Sequence, residues 1–481
     1  MTPVPSTPSV GTAPPRRLAD LPGPRRLPVL GNAHQIKPDT FHRQLEGWAR
    51  QHGPCFHLRI TSRNFLVVSD PEVIGSVLRQ RPDTFRRTPR LEQVARELGF
   101  QGLFSSNGDA WLRQRPMVLA GLDPAHIRTF LPAMADVTQR LQRRWLAAAQ
   151  DGAPIDLLAD LMRYTVDVTT GLAFGRNLNT LEHSGGTPIQ QHLNVILPSL
   201  FKRLLAPVDL HRWFPDKSTG LHVEALRTEV SAFIAQARAQ LEAQPALRDK
   251  PVNLIQALIA ARDREGSGVT DEDVSGNVLT MLLAGEDTTA NTLAWMIWLM
   301  YRNPAALAEA RAEVDGLLPR ASVVRGLDQL AALDGVEACA HEAMRLKPVA
   351  PLITVEAARD VAVADVWVPR GAFVICLMRA PAMDPAQFDA PQSFRPGRWR
   401  SGADGTVKAL ASAKRVAMPF GAGPRICPGR YLALAEIKMV AAMLLSTFEI
   451  EEVGAGGDEP AERLTLTMSP VGLKMRLRAR A

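Results

Sequence analysis

The spacing of hydrophobic and polar residues predicts a mainly α fold with a small β part. Through residues 124–344, apolar positions recur at helical spacing between breaks at Gly and Pro, which is typical of amphipathic helices. Residues 56–70 and 351–376 are shorter and partly alternating, which predicts strands, with a turn at 369–371. We expect residues 383–400 to be irregular, a helix after residue 427 and a closing hairpin over 463–477.

One predicted helix is unusually long. Thr270 and Asp273 form an N-terminal capping box, and the helical pattern continues to Arg302, where Asn303 and the proline that follows it end it. The segment "AGEDTT" (284–289) lies in its middle. Its glycine weakens a helix. Threonine hydroxyls that donate to a carbonyl of the preceding turn compete with the backbone hydrogen bonds of the helix. Two interpretations of this segment are equally open: a functional distortion of the helix, and an ordinary buried helix.

Composition and charge narrow the class of protein. Nearly half of the residues are hydrophobic, which allows one large core, and the 4 cysteines form no CxxC cluster, which disfavours a disulfide framework or a zinc site. The net charge is +7, but no nucleic-acid motif accompanies it. The longest apolar run is far shorter than the ~20 residues of a membrane span. We expect a disordered Pro-rich tail over 1–20, a single domain over 21–481, and a cytoplasmic protein.

The most constrained segment is "FGAGPRICPGR", residues 420–430. Gly423 supplies backbone freedom, and Pro428 suits the first turn of a helix, which places Cys427 at a helix N-terminus that favours a thiolate. Gly429 leaves room for a flat group beside the sulfur. A thiolate, an aromatic residue and an arginine together suit a haem with an axial sulfur. A nucleophilic cysteine and an inert buried one remain open alternatives.

These residues carry a family resemblance. The loop matches Phe-x-x-Gly-x-Arg-x-Cys-x-Gly at every fixed position, and on this motif the chain resembles the cytochrome P-450 family from about residue 21 to its end. The other matching motifs, in chain order, are "WLRQR" with Trp111 and Arg115, "AGEDTT" with Ala284, Glu-x-x-Arg with Glu342 and Arg345, and "FRPGRW" with Arg398. The resemblance implies the cytochrome P-450 fold, with the long central helix lying over a haem.

The resemblance also implies roles for individual residues. It implies haem b (iron protoporphyrin IX) with Cys427 as the iron ligand, and a proton relay made by Asp287 and Thr288. The other implied cofactor-binding residues are Trp111, Arg115, Ala284, Phe420, Gly421, Arg425 and Gly429. Glu342, Arg345 and Arg398 form the implied structural cluster. From the residues alone, the weaker alternatives are a surface pair for Glu342 and Arg345 and a core position for Trp111.

The implied function is that of a monooxygenase. It would use O₂ to oxidise an apolar small molecule, such as a fatty acid, a terpenoid or a steroid-like compound. Because no flavin or iron–sulfur segment follows residue 481, we expect a separate electron donor: a ferredoxin, a flavodoxin or a diflavin reductase. Basic residues around the cysteine loop could steer an acidic donor; they are Lys414, Arg415, Arg430 and Lys438. A peroxygenase or isomerase, and a haem-thiolate sensor, are the alternatives.

Two details complete the expectations. By family layout the substrate pocket is formed by residues 91–104, 197–214 and 349–353 and by the tip near Met468. Many members of the family carry an arginine or histidine just after the position of Pro351 that reaches a haem propionate, and this chain does not. Arg359 comes late in the sequence for that contact, and Arg379 is the substitute that we consider.

Overall fold

The computed structural model describes residues 15–175, 178–182, 188–206, 216–400, 407–454 and 459–480. The helices are α1 (Phe41–His52), α2 (Pro71–Arg79), α3 (Pro89–Glu97), α4 (Gly108–Gly121), α5 (Pro124–Gln150), α6 (Leu157–Phe174), α7 (Pro188–Leu205), α8 (Lys217–Ala243), α9 (Leu254–Arg262), α10 (Asp271–Tyr301), α11 (Pro304–Leu317), α12 (Leu327–Ala331), α13 (Asp334–Leu346), α14 (Val407–Ala417) and α15 (Arg430–Thr447). The fold is mainly α with small sheets, as predicted. None of the helices in the described residues is long and apolar enough to cross a bilayer.

The strands are short and form small sheets. They are β1 (Arg16–Arg17), β2 (Cys55–Ile60), β3 (Arg63–Val68), β4 (Phe85–Arg86), β5 (Ile155–Asp156), β6 (Leu352–Ala357), β7 (Val361–Val363), β8 (Val366–Val368), β9 (Phe373–Leu377), β10 (Phe448–Gly454), β11 (Glu462–Leu464), β12 (Met468–Pro470) and β13 (Lys474–Ala479). A five-stranded sheet has the order β2-β3-β9-β6-β4; the others are β1-β8-β7, β10-β13-β5 and the hairpin β11-β12. The predicted strands and the turn at Gly371, which has a φ of +83°, are confirmed.

The long helix α10 forms the centre of the molecule. Thr270 Oγ1 accepts from the Asp273 N–H at 3.1 Å, and an Asp273 carboxylate oxygen accepts from the Thr270 N–H at 3.1 Å, so the predicted capping box is confirmed. The second half of α10 is buried on every side, including Trp295, because α6, α13 and α15 pack around it.

The C-terminal segment differs from the expected hairpin. Only β11 and β12 pair with each other, whereas β13 pairs antiparallel with β10 and with the short strand β5. The reason is that Met475 and Leu477 of β13 are buried against α5, which draws the strand away from its sequence neighbour. Local alternation predicts a strand but cannot name its partner.

The chain before residue 21 is described from residue 15 onwards. Arg16 and Arg17 pair in parallel with Val366 and Trp367 of β8, and Leu18 is buried. Residues 16–20 therefore pack on the β1-β8-β7 sheet although we expected a tail over 1–20. Residues 1–14 lie outside the described residues, and the division of the chain at residue 20 stays a prediction.

Candidate active site

Backbone hydrogen bonds and glycines shape the loop that carries Cys427. The Cys427 N–H donates to the Phe420 carbonyl at 3.0 Å. Gly421 and Gly423 have φ of +73° and +71°, in the left-handed region that favours glycine. A Cβ on Gly423 would lie 2.6 Å from the Arg79 Cα, so this position also needs glycine for the close approach of α2. The tight turn holds the cysteine in one orientation.

The surroundings of Cys427 correct two expectations. The N-cap of α15 is Gly429, so Pro428 precedes the first turn rather than lying in it, and Cys427 lies two residues before the cap. Burial raises the pKa of the Cys427 thiol above its usual value, while a hydrogen bond from the Gly429 N–H and the charges of Arg115 and Arg430 act in the opposite direction. The helix start alone therefore does not make a thiolate here; a bound cation would, because a coordinating thiol is deprotonated outright.

Helix α4 and the cysteine loop are joined through three predicted residues, Trp111, Arg115 and Arg425. Arg115 Nη2 donates to the Ile426 carbonyl at 2.7 Å. The Arg425 guanidinium lies over the Trp111 ring at 4.7 Å from its centroid and donates to the Ser106 carbonyl at 2.7 Å. Trp111 is buried, so it is a core residue and a neighbour of the site at once.

Arg425 belongs to a cluster of like charges. Burial, with repulsion from Arg81 and Arg425, lowers the pKa of Arg87 to about 9. Burial also lowers the pKa of Arg81 and of Arg425 to about 10. The Nε atoms of Arg87 and Arg425 are buried without a hydrogen-bond partner, and within the described residues none of the three arginines is in an ion pair with a carboxylate. The sequence analysis missed Arg81 and Arg87, because nothing local distinguishes them from surface arginines.

The central helix presents a small uncovered face. Ala284 is exposed and Thr288, one turn later, is half-buried, although the residues around them are mostly buried. Thr288 Oγ1 donates to the Ala284 carbonyl at 2.9 Å, which is the back-bond that the sequence predicted. The helix nevertheless continues unbroken through Asp271–Tyr301, so the ordinary-helix interpretation describes its backbone.

Asp287 is held by residues that the sequence analysis did not single out. Asn291 Nδ2 donates to Asp287 Oδ1 at 2.7 Å, and Thr467 Oγ1 donates to Asp287 Oδ2. Burial raises the pKa of the Asp287 carboxyl, and the hydrogen bonds from Thr467 and Asn291 limit the increase. Asn291 lies one turn further along α10 and could have been considered. Thr467 lies in the turn between β11 and β12, where sequence patterns do not reach.

Glu342, Arg345 and Arg398 come together as the resemblance implies. Arg345 donates to both carboxylate oxygens of Glu342 at 2.8 Å, and Arg398 Nε approaches the same carboxylate at 3.3 Å. Trp399 Nε1 adds a further bond to it at 2.8 Å. Both members of the Glu342–Arg345 pair have fully buried side chains, so the surface-pair interpretation is wrong.

Two basic residues are engaged elsewhere. Arg379, the considered substitute for a propionate contact, is bound by Glu46 on one side and by Glu462 on the other, at 2.8 Å each, which contradicts that proposal. Lys438 is buried and donates to Glu337 at 2.7 Å, which removes it from the expected docking group.

The expected pocket segments are described in part. Leu103 of residues 91–104 donates its N–H to Asn277 Oδ1 on α10 at 2.8 Å. The Met468 N–H donates to the Val349 carbonyl at 2.8 Å, which joins the other two predicted pieces of the wall. Residues 207–214 of the segment 197–214 lie outside the described residues.

The residues fit an iron porphyrin. Cys427 offers a single soft ligand beside a glycine, and the uncovered positions of α10 offer small side chains. The described part of the chain gives Arg81, Arg87 and Arg425 no carboxylate partner, and two carboxylates of a ligand would supply the counter-charge. A buried cation is costly without such a partner. Fold and donor set together define the class of haem-thiolate proteins.

The comparisons with known proteins agree. The chain belongs to the cytochrome P450 family: the family model "Cytochrome P450" matches residues 21–476. Haem held through a thiolate is the cofactor of this family.

Relatives and solved structures are similar over nearly the whole chain. "Self-sufficient cytochrome P450 monooxygenase CYP505U2" of Exserohilum turcicum is 27% identical over 97% of this chain, and the chain spans only 43% of that protein's length. "Cytochrome P450 CYP99A1" of Sorghum bicolor is 29% identical over 89% of this chain and 86% of its own length. The crystal structure of the "cytochrome P450DA heme domain" superimposes with a TM-score of 0.85 at 25% identity, covering 97% of this chain and 99% of that one.

Proposed function

We propose that this protein is a haem-thiolate monooxygenase that inserts one oxygen atom of O₂ into an apolar small molecule of the fatty-acid, terpenoid or steroid-like class. The observation that carries the proposal is the presence of two sets of residues in one fold. One is the Cys427 loop with arginines that have no carboxylate partner among the described residues, and the other is the uncovered face of α10 with Thr288 and Asp287. When bound, the haem supplies O₂ binding and reductive cleavage of the O–O bond, which thiolate ligation favours.

The chain's own residues hold the cofactor in this proposal. Cys427 ligates the iron, and Arg425 with the newly found Arg87 binds the propionates. Arg115 is already bound to the Ile426 carbonyl, so it stiffens the loop beside the iron ligand. The cavity around the ring is shaped by Phe420, Gly421, Gly429, Trp111 and Ala284.

Asp287 and Thr288 handle protons. Because burial raises the pKa of Asp287, its carboxyl keeps a proton to a higher pH than an ordinary aspartate. Asn291 and Thr467 orient that carboxyl. The Thr288 hydroxyl donates its hydrogen to the Ala284 carbonyl. Its oxygen lone pairs therefore remain free to accept a hydrogen bond on the uncovered side of the helix. In this proposal Asp287 is the proton source, and Thr288 is a hydrogen-bond acceptor next to it in the chain.

The electron donor docks on the side of the cysteine loop in this proposal. Lys414 and Arg79 are exposed there, and Arg430 lies over the Tyr431 ring at 4.3 Å from its centroid. Arg415 is already paired with Glu72. An acidic ferredoxin, flavodoxin or diflavin reductase, separate from residues 1–481, fits these cations. We expect the reduction rate to fall steeply with added salt; a rate independent of salt contradicts charge-steered docking.

The experiment that tests the haem-thiolate assignment is the spectrum of the purified, reduced, carbon-monoxide-treated protein. We expect the thiolate-type Soret band, and its loss in Cys427→Ser. Cys339→Ser is the matched control, because Cys339 is buried in the core and should leave the spectrum unchanged. A histidine-type spectrum in the native protein would contradict the proposal.

Thr288→Ala tests the proton relay. We expect more peroxide released per reducing equivalent consumed, with the carbon-monoxide spectrum unchanged, because the threonine hydroxyl is lost while the iron ligand remains. Thr280→Ala is the control, since Thr280 back-bonds to Gly276 at 2.7 Å in the same way, two turns earlier on α10. Full turnover with peroxide alone and none with O₂ and electrons would favour a peroxygenase instead.

A further inference from the structure

The C-terminal hairpin β11-β12 brings one hydroxyl to the acid of the central helix. Thr467 lies in the turn before β12 and is buried, and its Oγ1 donates to Asp287 Oδ2. Asn291 Nδ2 donates to the same Oγ1 at 3.2 Å. Because Thr467 accepts from Asn291, its own hydrogen points to the carboxylate. The bond therefore has one fixed direction, and it favours the charged form of Asp287.

Backbone hydrogen bonds hold the tip of this hairpin against the rest of the molecule. The Met468 N–H donates to the Val349 carbonyl at 2.8 Å, and Trp295 Nε1 of α10 donates to the Met468 carbonyl at 3.4 Å. The Thr465 N–H donates to the Thr467 carbonyl at 2.9 Å. The turn is therefore bound both to itself and to its surroundings, so the Thr467 hydroxyl is held in place with little further ordering.

A buried carboxylate fastens the base of the hairpin. Glu462 of β11 accepts from Lys347 at 2.6 Å and from Arg379 at 2.8 Å, and the His42 ring lies 3.0 Å from its other carboxylate oxygen. Arg379 is also bound by Glu46 of α1 through two hydrogen bonds. These contacts hold β11 to α1 and to the chain segments that follow α13 and β9.

Asp287 depends on these hydrogen bonds because no neighbouring charge balances it. Burial favours its neutral form and raises its pKa, while the bonds from Thr467 and Asn291 oppose that increase. No charged side chain on the described elements that pack against α10 acts on this carboxyl. Since the two donors alone oppose burial, losing one of them raises the pH at which Asp287 releases its proton.

We propose that the hairpin β11-β12 is a positioning element for the proton relay, in which Thr467 acts on Asp287 and the Arg379–Glu462 pair is the anchor. The inference rests on the proposed function, in which Asp287 is the proton source. When Asp287 gives up its proton it becomes a carboxylate, and the hydrogen bond from Thr467 stabilises that form. Without Thr467 the carboxyl is a weaker acid and loses one of its two fixed contacts, so it supplies protons more slowly.

Infrared titration of the resting, haem-bound protein tests the proposal without turnover. The band of the protonated Asp287 carboxyl is assigned by its absence from Asp287→Asn. Thr467→Val keeps the shape of the side chain and removes the hydroxyl. We expect it to raise the titration midpoint of that band by about one to two pH units, the worth of one hydrogen bond to a charged group. Thr467→Ser keeps a hydroxyl and should restore the midpoint of the parent protein.

Ser469→Ala is the matched control for Thr467→Val. Ser469 is buried in the same hairpin, but its hydroxyl donates to the Arg463 carbonyl at 3.3 Å rather than to α10. We expect the Asp287 midpoint of this variant to equal that of the parent protein. An equal shift in Ser469→Ala and Thr467→Val would overturn the specific role of Thr467, because any loosening of the hairpin would then have the same effect.

Arg379→Lys tests the anchor. Lysine keeps the positive charge but cannot form the paired hydrogen bonds of a guanidinium, so the hairpin is held less firmly and the Asp287 midpoint should rise by less than in Thr467→Val. Arg311→Lys is the control, since Arg311 is bound to Glu449 at 2.6 Å and has no contact with the hairpin, and its midpoint should not change. An unchanged midpoint in Arg379→Lys would overturn the role of the anchor.

Peroxide release separates this inference from the proposed function. Thr467→Val should release more peroxide per reducing equivalent, with the carbon-monoxide spectrum unchanged, because Asp287 gives up its proton less readily. If Asp287→Asn raises peroxide release while Thr467→Val changes neither the midpoint nor the peroxide yield, the inference is wrong and the relay stands. If Asp287→Asn leaves the peroxide yield unchanged, the relay itself is wrong, and the hairpin then positions a charge that the reaction does not use.

Discussion

Two clusters of arginines differ in whether the chain itself balances their charge. In the first, the Glu342 carboxylate is bound by Arg345, Arg398 and the Trp399 indole. In the second, Arg87 and Arg425 lie near each other, and their buried Nε atoms have no hydrogen-bond partner among the residues that the structure describes. In the first group, the carboxylate of the chain balances the arginines. The second group needs negative charge from a bound ligand.

The difference separates a structural cluster from a ligand site. A buried ion pair holds a fold in one arrangement, and removing one partner is costly because it leaves an uncompensated charge. A buried group of like charges lacks that compensation: burial, and after it repulsion from Arg81 and Arg425, lowers the pKa of Arg87 to about 9. We infer that the second group is stabilised only when an anion is bound.

Breaking the complete group should have the largest effect. Glu342→Gln leaves the fully buried Arg345 without its counter-charge, and we expect the free energy of unfolding to fall by about 3–5 kcal/mol. Urea unfolding followed by circular dichroism measures the loss. A loss below about 1 kcal/mol would show that solvent reaches the cluster.

Removing a charge from the incomplete group should affect the cofactor rather than the fold. Arg87→Gln should weaken haem binding about tenfold or more, the worth of a hydrogen bond to a charged group, while the haem-free protein melts at the same or a higher temperature because repulsion is relieved. Haem titration and thermal melting of both forms test this.

The neighbouring Arg86 provides the matched control for that experiment. It is bound to Glu356 at 2.9 Å, so Arg86→Gln should leave haem affinity unchanged. If Arg87→Gln destabilised the haem-free and haem-bound forms equally, the assignment of the cluster to an anion would be wrong.

Glu436 extends the comparison to acids: it is buried, and none of the described basic residues forms an ion pair with it. Burial raises the pKa of Glu436 to about 8, so between its unfolded value and pH 8 the folded protein holds a proton that the unfolded chain releases. Stability contributed by this group is therefore full at low pH and declines as pH rises, by about 1.4 kcal/mol per unit. Glu436→Gln should flatten the fall of melting temperature between pH 5 and 8; an unchanged slope would contradict this.

The smallest effect is expected at an exposed pair. Arg395 and Asp389 are in contact at 2.9 Å but are 52% and 87% exposed. Arg395→Gln should change the free energy of unfolding by less than about 1 kcal/mol, measured by the same urea unfolding as Glu342→Gln. A larger loss would mean that geometry, rather than burial, decides what these charges contribute.

Much of the site could be predicted because its signals are local. The glycines and the cysteine of residues 420–430 lie within one loop, and the capping box of α10 is a pattern four residues long, Thr270 to Asp273. The hydroxyl of Thr288 bonds within its own helix. In each case the partner is close in the chain, so spacing alone describes the interaction.

Other parts could not be predicted because their partners are distant in the chain. Thr467 reaches Asp287 across 180 positions, and Arg379 finds Glu46 across 333. The sequence leaves Arg379 available for a propionate because its two carboxylate partners cannot be identified from sequence. Arg87 could not be distinguished from Arg86, although one is paired with a glutamate and the other faces like charges.

The sequence by itself determined the family, the cysteine that ligates iron in that family, the central helix and its caps, since these depend on residue type and short spacing. Only the tertiary structure decided which charges are compensated, which strand pairs with β13 and which distant residue reaches Asp287. The physical reason is that compensation and burial depend on which distant segments meet, and the chain must fold before they do.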